Sequence, residues 1–231
     1  MKIKGKQRSI LMIFAAAAAG FDLISCSSVS VPKPQKDQPS VEPGQALRLL
    51  KDGNARFVKG DLASKPSPAS QRGNLAGGQR PFAVIVGCAD SRTAPEIVFD
   101  QPLGSLFVVR SAGNLVEPCD MGSIEYAVEH LGARLVIVLG HERCGAVAAA
   151  LAGGHAPGHI GLLVEKIAPA VKASKGRNGD ALDNAVMENA AQVAAQIRNS
   201  RPSLKSMAHG EEVTVLAGHY DLDSGEVRWL K

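Results

Sequence analysis

Aromatic residues are scarce in this 231-residue chain: six Phe, two Tyr and one Trp, 4% of the total. Apolar residues still reach 45% and charged ones 21%, so a disordered chain is excluded and one sizeable domain is allowed. No G-x-x-x-x-G-K-[ST] or G-x-G-x-x-G pattern occurs, which removes the common phosphate-cradling fingerprints. No internal repeat is visible, against a solenoid or propeller. The apolar run from Ile10 to Phe21 falls short of the about 20 residues that a membrane-spanning helix needs. A large charge excess is missing as well. The total is +4, but residues 1–25 hold Lys2, Lys4, Lys6 and Arg8 against Asp22, which leaves +1 for the remainder. That balance gives no argument for a nucleic-acid partner.

The N-terminus reads as an address rather than as part of a fold. A basic start, the run Ile10 to Phe21 and then Leu23-Ile24-Ser25-Cys26 resemble a bacterial lipoprotein signal, cleaved before a cysteine that takes the lipid. The resemblance implies loss of residues 1–25, lipidation of Cys26 and export to the periplasmic face of a bacterial membrane. Without lipidation the chain would be a soluble periplasmic protein. Ser27, by the same resemblance, favours the outer membrane. Residues 26–42 are rich in Ser, Pro and Lys without an apolar period, and are expected to form a flexible tether. The folded domain is expected over residues 43–231.

That domain alternates two kinds of segment. A helix starting at Pro43 places Ala46, Leu49, Leu50 and Phe57 on one stripe. Residues 62–81, dense in Pro, Gly and Ser, read as a loop. Continuous apolar runs of strand length follow at Phe82 to Cys88, Ser105 to Ser111 and Ala133 to His141. Two more strands close the chain, in "EEVTVLAGHYD" and "GEVRWLK", joined by a turn at "LDSG". Between them lie helical stretches, "MGSIEYAVEHLG", "CGAVAAALAGG", "IGLLVEKIAPAVKAS" and "DALDNAVMENAAQVAAQIRNS". Uninterrupted apolar strands alternating with helices predict an α/β fold: a mainly parallel sheet flanked by helices, with a C-terminal antiparallel edge strand.

Two strands end alike. "VIVGCADSR" sets Cys88, Asp90 and Arg92 at single-residue spacing, and "VIVLGHERCG" sets His141 three residues before Cys144. Ligands of such sheets collect at the carboxyl ends of the strands. Should the two strands lie side by side, two thiolates and one imidazole converge, a donor set that suits zinc. Cys144 would also sit near a helix N-terminus, which favours its thiolate. In an exported chain a Cys88–Cys144 disulfide competes with the metal. A structural zinc needs a fourth protein ligand. Asp90 is the nearest candidate, but Arg92 beside it suggests an acid held near the metal rather than committed to it.

"GCADSR" and "GHERCG", with "GNARFV", "QRP", "GSLFVVRSAGN" and "IEYAVEHLG", resemble the β-class carbonic anhydrases from about Gly44 to the C-terminus. The resemblance implies zinc on Cys88, His141 and Cys144, with water, hydroxide or, in a closed form, Asp90 in the fourth position. It makes Asp90 and Arg92 the catalytic dyad and carbon dioxide and bicarbonate the ligands. Gln79, Phe107, Ala112 and Tyr126 fall on the family's substrate-pocket positions, and a homodimer or homotetramer is implied. The bicarbonate-regulated subtype carries tryptophan where this chain has Ile85, so that regulation is not expected. Hydrolysis of carbonyl sulfide or carbon disulfide, or a non-catalytic zinc lipoprotein, are the competing functions. Cys119 is expected to be a free loop thiol and Glu142 to face solvent. His130, His155, His159, His209 and His219 read as surface or packed side chains.

Overall fold

The computed structural model describes residues 40–230 apart from 64, 66, 67, 155, 201–203, 205, 206 and 209–211. The expected signal segment and most of the expected tether, Cys26 included, therefore lie outside the described residues, as do His155 and His209.

Five strands, β1 (Ala83–Cys88), β2 (Leu106–Ser111), β3 (Leu135–His141), β4 (Thr214–Tyr220) and β5 (Val227–Trp229), form one sheet in the order β2-β1-β3-β4-β5. The first four are parallel, and β5 returns antiparallel to β4 as an edge strand. Every residue of β1 and β3 is buried, which is why both read as unbroken apolar runs: helices cover both faces of the sheet.

On one face, α4 (Pro118–Glu129) and α7 (Ala181–Arg198) pack Ile124, Val128, Val193 and Ile197 on Val84, Val86, Val136 and Val138. On the other, α1 (Pro43–Lys59) and α3 (Pro95–Val98) cover Ile85, Ile137 and Leu139 with Ala46, Leu50 and Val98, joined by Phe99 just after α3. Beyond the strand ends, α5 (Gly145–Ala152) and α6 (Ile160–Ser174) add a third cluster that includes Cys88 and Cys144.

The apolar stripe on α1 is the expected one except at Leu49: Ala46 and Leu50 are buried and Phe57 packs against the same cluster. Ala46, Leu50, Gly53 and Asn54 are buried, whereas Leu49 is exposed. Gly53 is the cause: a Cβ there would stand 1.8 Å from the Phe99 carbonyl oxygen, so the helix turns its smallest residue toward α3. Asn54 then donates to the Val98 and Gly225 carbonyls and accepts from the Val227 amide, tying α1 to α3 and β5. A second difference is α2 (Pro68–Leu75), a short helix inside the expected loop. It has no apolar stripe, and Leu75 supplies its contact by closing on Gly104.

The topology places the functional end. From β1 the chain steps outward to β2 through α3, then returns through α4 to β3 on the other side of β1. The two crossovers lie on opposite faces, so a crevice opens between the carboxyl ends of β1 and β3. This is the switch point at which open α/β sheets bind ligands. Among the described residues no helix is long and apolar enough to cross a membrane.

Candidate metal centre

Cys88 closes β1 and His141 closes β3, on neighbouring strands whose register pairs Gly87 with Leu139. Cys144 is the N-cap residue of α5, two residues of loop after His141. The two sulfurs and a ring nitrogen of His141 lie within 4.8 Å of one another, all three residues buried. Zinc bridges such a gap with bonds of about 2.0–2.3 Å to nitrogen and sulfur. Cys88, Cys119 and Cys144 are all free thiols.

The donor set is prepared for a cation. His141 Nδ1 sits 2.9 Å from the Glu142 carbonyl oxygen, a partner that takes a proton on Nδ1. Nε2 is buried without a hydrogen-bond partner, so its lone pair is presented to the two sulfurs. The Cys88 sulfur accepts the amides of Asp90 at 3.4 Å and Gly113 at 3.3 Å. The neighbouring Cys144 thiol and these two amides lower the Cys88 thiol, against burial. Cys144 moves the other way: the Cys88 thiolate and burial push it up, while the amides of Val147 and Ala146 at the start of α5 act against them. Like charge in a buried space forbids two free thiolates, and a divalent cation removes that conflict.

Gly113 can offer its amide because the 3-10 turn Ala112–Asn114 passes close by with φ +69°. Asn189 on α7 donates to the Gly113 carbonyl and holds the turn. A Cβ on Gly113 would lie 2.8 Å from the Ile167 side chain, so the position takes glycine on both counts.

Asp90 is held by Arg92 through three bonds: Nε–H to Oδ1 at 2.9 Å, Nη2–H to Oδ2 at 2.8 Å and the backbone amide to Oδ1 at 3.0 Å. The guanidinium keeps the carboxyl well below the usual carboxylate range. Oδ2 also lies 3.9 Å from His141 Nε2, so the ionised carboxylate looks into the space between the ligands. Asp90 is not part of the metal-ligating group among the described residues.

Arg110, on the edge strand β2, was missed by sequence reasoning. It donates to the carbonyls of Cys88 at 2.8 Å and Asp90 at 2.5 Å, gripping the turn from both sides. Its signal was a lone cation ending an apolar strand. Glu142 does not simply face solvent, because its carboxylate accepts the Leu222 amide at 3.0 Å. Cys119 is exposed as expected, but lies in the first turn of α4 rather than a loop. His219 is fully buried on β4 between Arg228 and Asp183.

The pocket residues lie apart from this cradle, except Ala112 beside Gly113. Phe107 pairs with Val84, four residues upstream of the Cys88–Ser111 pair, or roughly 13 Å along the strand. Tyr126 is 40% exposed on α4, its ring tilted against that of His130, and Gln79 borders an open hollow of about 320 Å³ with Leu75 and Leu103.

Residues 83–227 match the family model described as "Carbonic anhydrase". Carbonic anhydrase 2 of Mycobacterium tuberculosis is 40% identical over 191 residues, covering 81% of this chain and 92% of that protein. The carbonic anhydrase of Mycolicibacterium smegmatis is 38% identical over 194 residues, covering 82% and 94%. Among solved structures, the β-carbonic anhydrase of Coccomyxa, in complex with acetazolamide, superposes with a TM-score of 0.62 at 28% identity, over 71% of this chain and 78% of that one. With two strand ends that meet at the switch point to present a Cys-His-Cys cradle, this chain belongs to the β-class carbonic anhydrases, zinc lyases that interconvert carbon dioxide and bicarbonate.

Proposed function

We propose that Cys88, His141 and Cys144 hold the zinc of this enzyme, and that Asp90, fixed by Arg92, orients the attacking water. One observation carries the reading: the unpartnered, buried His141 Nε2 faces two thiols and an ionised carboxylate. Zinc bound there supplies a Lewis acid that makes water nucleophilic near neutral pH. Asp90 does the positioning. Both its oxygens rest on Arg92, so it stays an acceptor, would accept a hydrogen bond from the attacking water and would leave the oxygen lone pair to carbon dioxide. The test is stopped-flow hydration of carbon dioxide by the zinc-loaded full chain. Fast turnover is expected, and none despite one zinc per chain would overturn the reading.

The substrate wall is proposed to need a second copy. Gln79 and Tyr126 are exposed and Phe107 is half-buried, and Phe107 is far along the strand from its own Cys88. A homodimer would bring one chain's Gln79, Phe107 and Tyr126 to the other's centre, beside that chain's own Ala112. Mixing inactive Gln79→Ala and Asp90→Asn chains should then restore activity, because each mixed dimer rebuilds one intact site. No recovery on mixing, with subunit exchange demonstrated, would exclude the shared pocket.

For the N-terminus the proposal remains a lipid-anchored, exported chain with Cys26 as the acylated residue. A basic start, a short apolar run and Ser25-Cys26 support it. Mass spectrometry of the membrane fraction should find a diacylglyceryl-modified N-terminus beginning at Cys26, lost in Cys26→Ser.

A further inference from the structure

Between His141 and Cys144 the chain has two residues, and both turn away from the centre to grip one distant turn. The Glu142 amide donates to the Tyr220 carbonyl at 2.8 Å. The Glu142 carboxylate accepts the Leu222 amide at 3.0 Å. Arg143 forms a two-pronged pair with Asp223, Nη1–H to Oδ2 at 3.0 Å and Nη2–H to Oδ1 at 2.8 Å. Its Nη2 also stands 3.3 Å from the Glu142 carboxylate. Apart from Glu142 itself, these partners are the last residue of β4 and the β4–β5 connection, about 80 residues away in sequence.

The connection is itself rigid. Asp221 Oδ1 accepts the amides of Asp223 and Ser224 and the Ser224 hydroxyl, and Asn54 clamps Gly225 and Val227 from α1. Arg143 meanwhile sits at φ +52°, a conformation that few non-glycine residues keep without outside support. The loop is therefore a strained link between two metal ligands, pinned from outside by a stiff turn. Both side chains spend their hydrogen bonds on that turn or on each other.

We propose that Glu142 and Arg143 are positioning residues that pin the ligand loop to the β4–β5 turn and so slow the loss of zinc from the site. The inference rests on the ligand assignment made above. For zinc to escape, His141 or Cys144 must swing aside, and either motion drags a loop held by four hydrogen bonds at one end of the hairpin. Partners that orient metal ligands from outside typically change metal affinity about 10–100-fold. The exposed Arg143–Asp223 pair belongs at the low end of that range, because solvent screens it.

The experiment is zinc release from the loaded full chain to a competing colorimetric chelator, followed in time. Arg143→Asn suits the left-handed backbone, so it removes the ion pair without adding strain. Asp223→Asn alters the turn side, where the side chain is 74% exposed and packing is not at stake. Each is expected to release zinc about tenfold faster than the parent, and the double variant no faster than Arg143→Asn alone. High salt should speed release from the parent toward the variant rate and leave Asp223→Asn nearly unchanged. The melting temperature of the zinc-free chains should not move, which separates positioning from a general loss of fold. Release within twofold of the parent in both single variants overturns the proposal while leaving the ligands in place. A parent that retains no zinc overturns the ligand assignment and this inference together.

Discussion

Asp90 and Asp100 stand ten residues apart, both paired to arginine and both held below the usual carboxylate range, yet the structure gives them opposite work. Asp100 has no exposed side-chain surface and is held by Arg56, Lys65 and the Ala63 amide. Burial alone would raise it, and these three partners outweigh burial. It closes the loop after α1 onto the end of α3. The Asp90 carboxylate takes its hydrogen bonds from one residue, Arg92, keeps 19% of its side chain exposed, and turns an oxygen toward His141 Nε2. A carboxylate with no exposed surface, enclosed by its partners, cannot be reached by a substrate or a water. A carboxylate held on one side and open on the other can. The perturbed acidity is common to both, so it distinguishes neither; the unfilled side is what marks function.

Asp90→Asn tests that contrast most severely. Hydration of carbon dioxide should fall roughly a hundredfold or more, with zinc content and melting temperature close to the parent. An undiminished rate would erase the distinction. Arg92→Lys sharpens it: the charge remains but the planar fork is lost, and a roughly tenfold loss of rate is expected from misorientation of Asp90. Asp100→Asn should do the reverse, costing roughly 3 kcal/mol of unfolding free energy in urea because two cations lose a buried partner. Its rate per bound zinc should stay within twofold of the parent. Asparagine tolerates the left-handed backbone of Asp100, φ +46°, so the loss reports on charge. Arg56→Met should cost only about 1 kcal/mol, since Arg56 is partly solvated and Lys65 remains.

The smallest effect is a dependence on pH. Asp100 titrates lower in the folded chain than in the unfolded one, where it stays near about 3.9. Its contribution is therefore complete above that value and is lost as pH falls through the folded one. The stability gap between the parent and Asp100→Asn should be level from about pH 8 to 5 and close below about pH 4. A gap that widened in acid would mean Asp100 is not ionised in the native chain.

Some of this could be read directly from residues. A strand buried on both faces needs unbroken apolar side chains, so β1 and β3 announced themselves, and the polar residues ending them stood out. α2 did not, because a helix whose anchor is one leucine on a glycine leaves no periodic trace. On α1 the stripe of Ala46, Leu50 and Phe57 was legible, but the close contact at Gly53 was not, because apolar counting overlooks an empty position. Arg110 and Glu142 acquire their roles from backbone groups 22 and 80 residues away, which local spacing does not encode.

The sequence by itself determined the parts: a parallel α/β sheet, a thiol, an acid and a guanidinium at one strand end, an imidazole and a thiol at another. Only the tertiary structure decided that those ends are neighbours. The chain leaves β1 over one face of the sheet and returns over the other, so β3 settles against the free side of β1 while β2 takes the outer edge. Helices that cross on opposite faces cannot fill the gap between the strands they flank, and the three ligands meet in that gap.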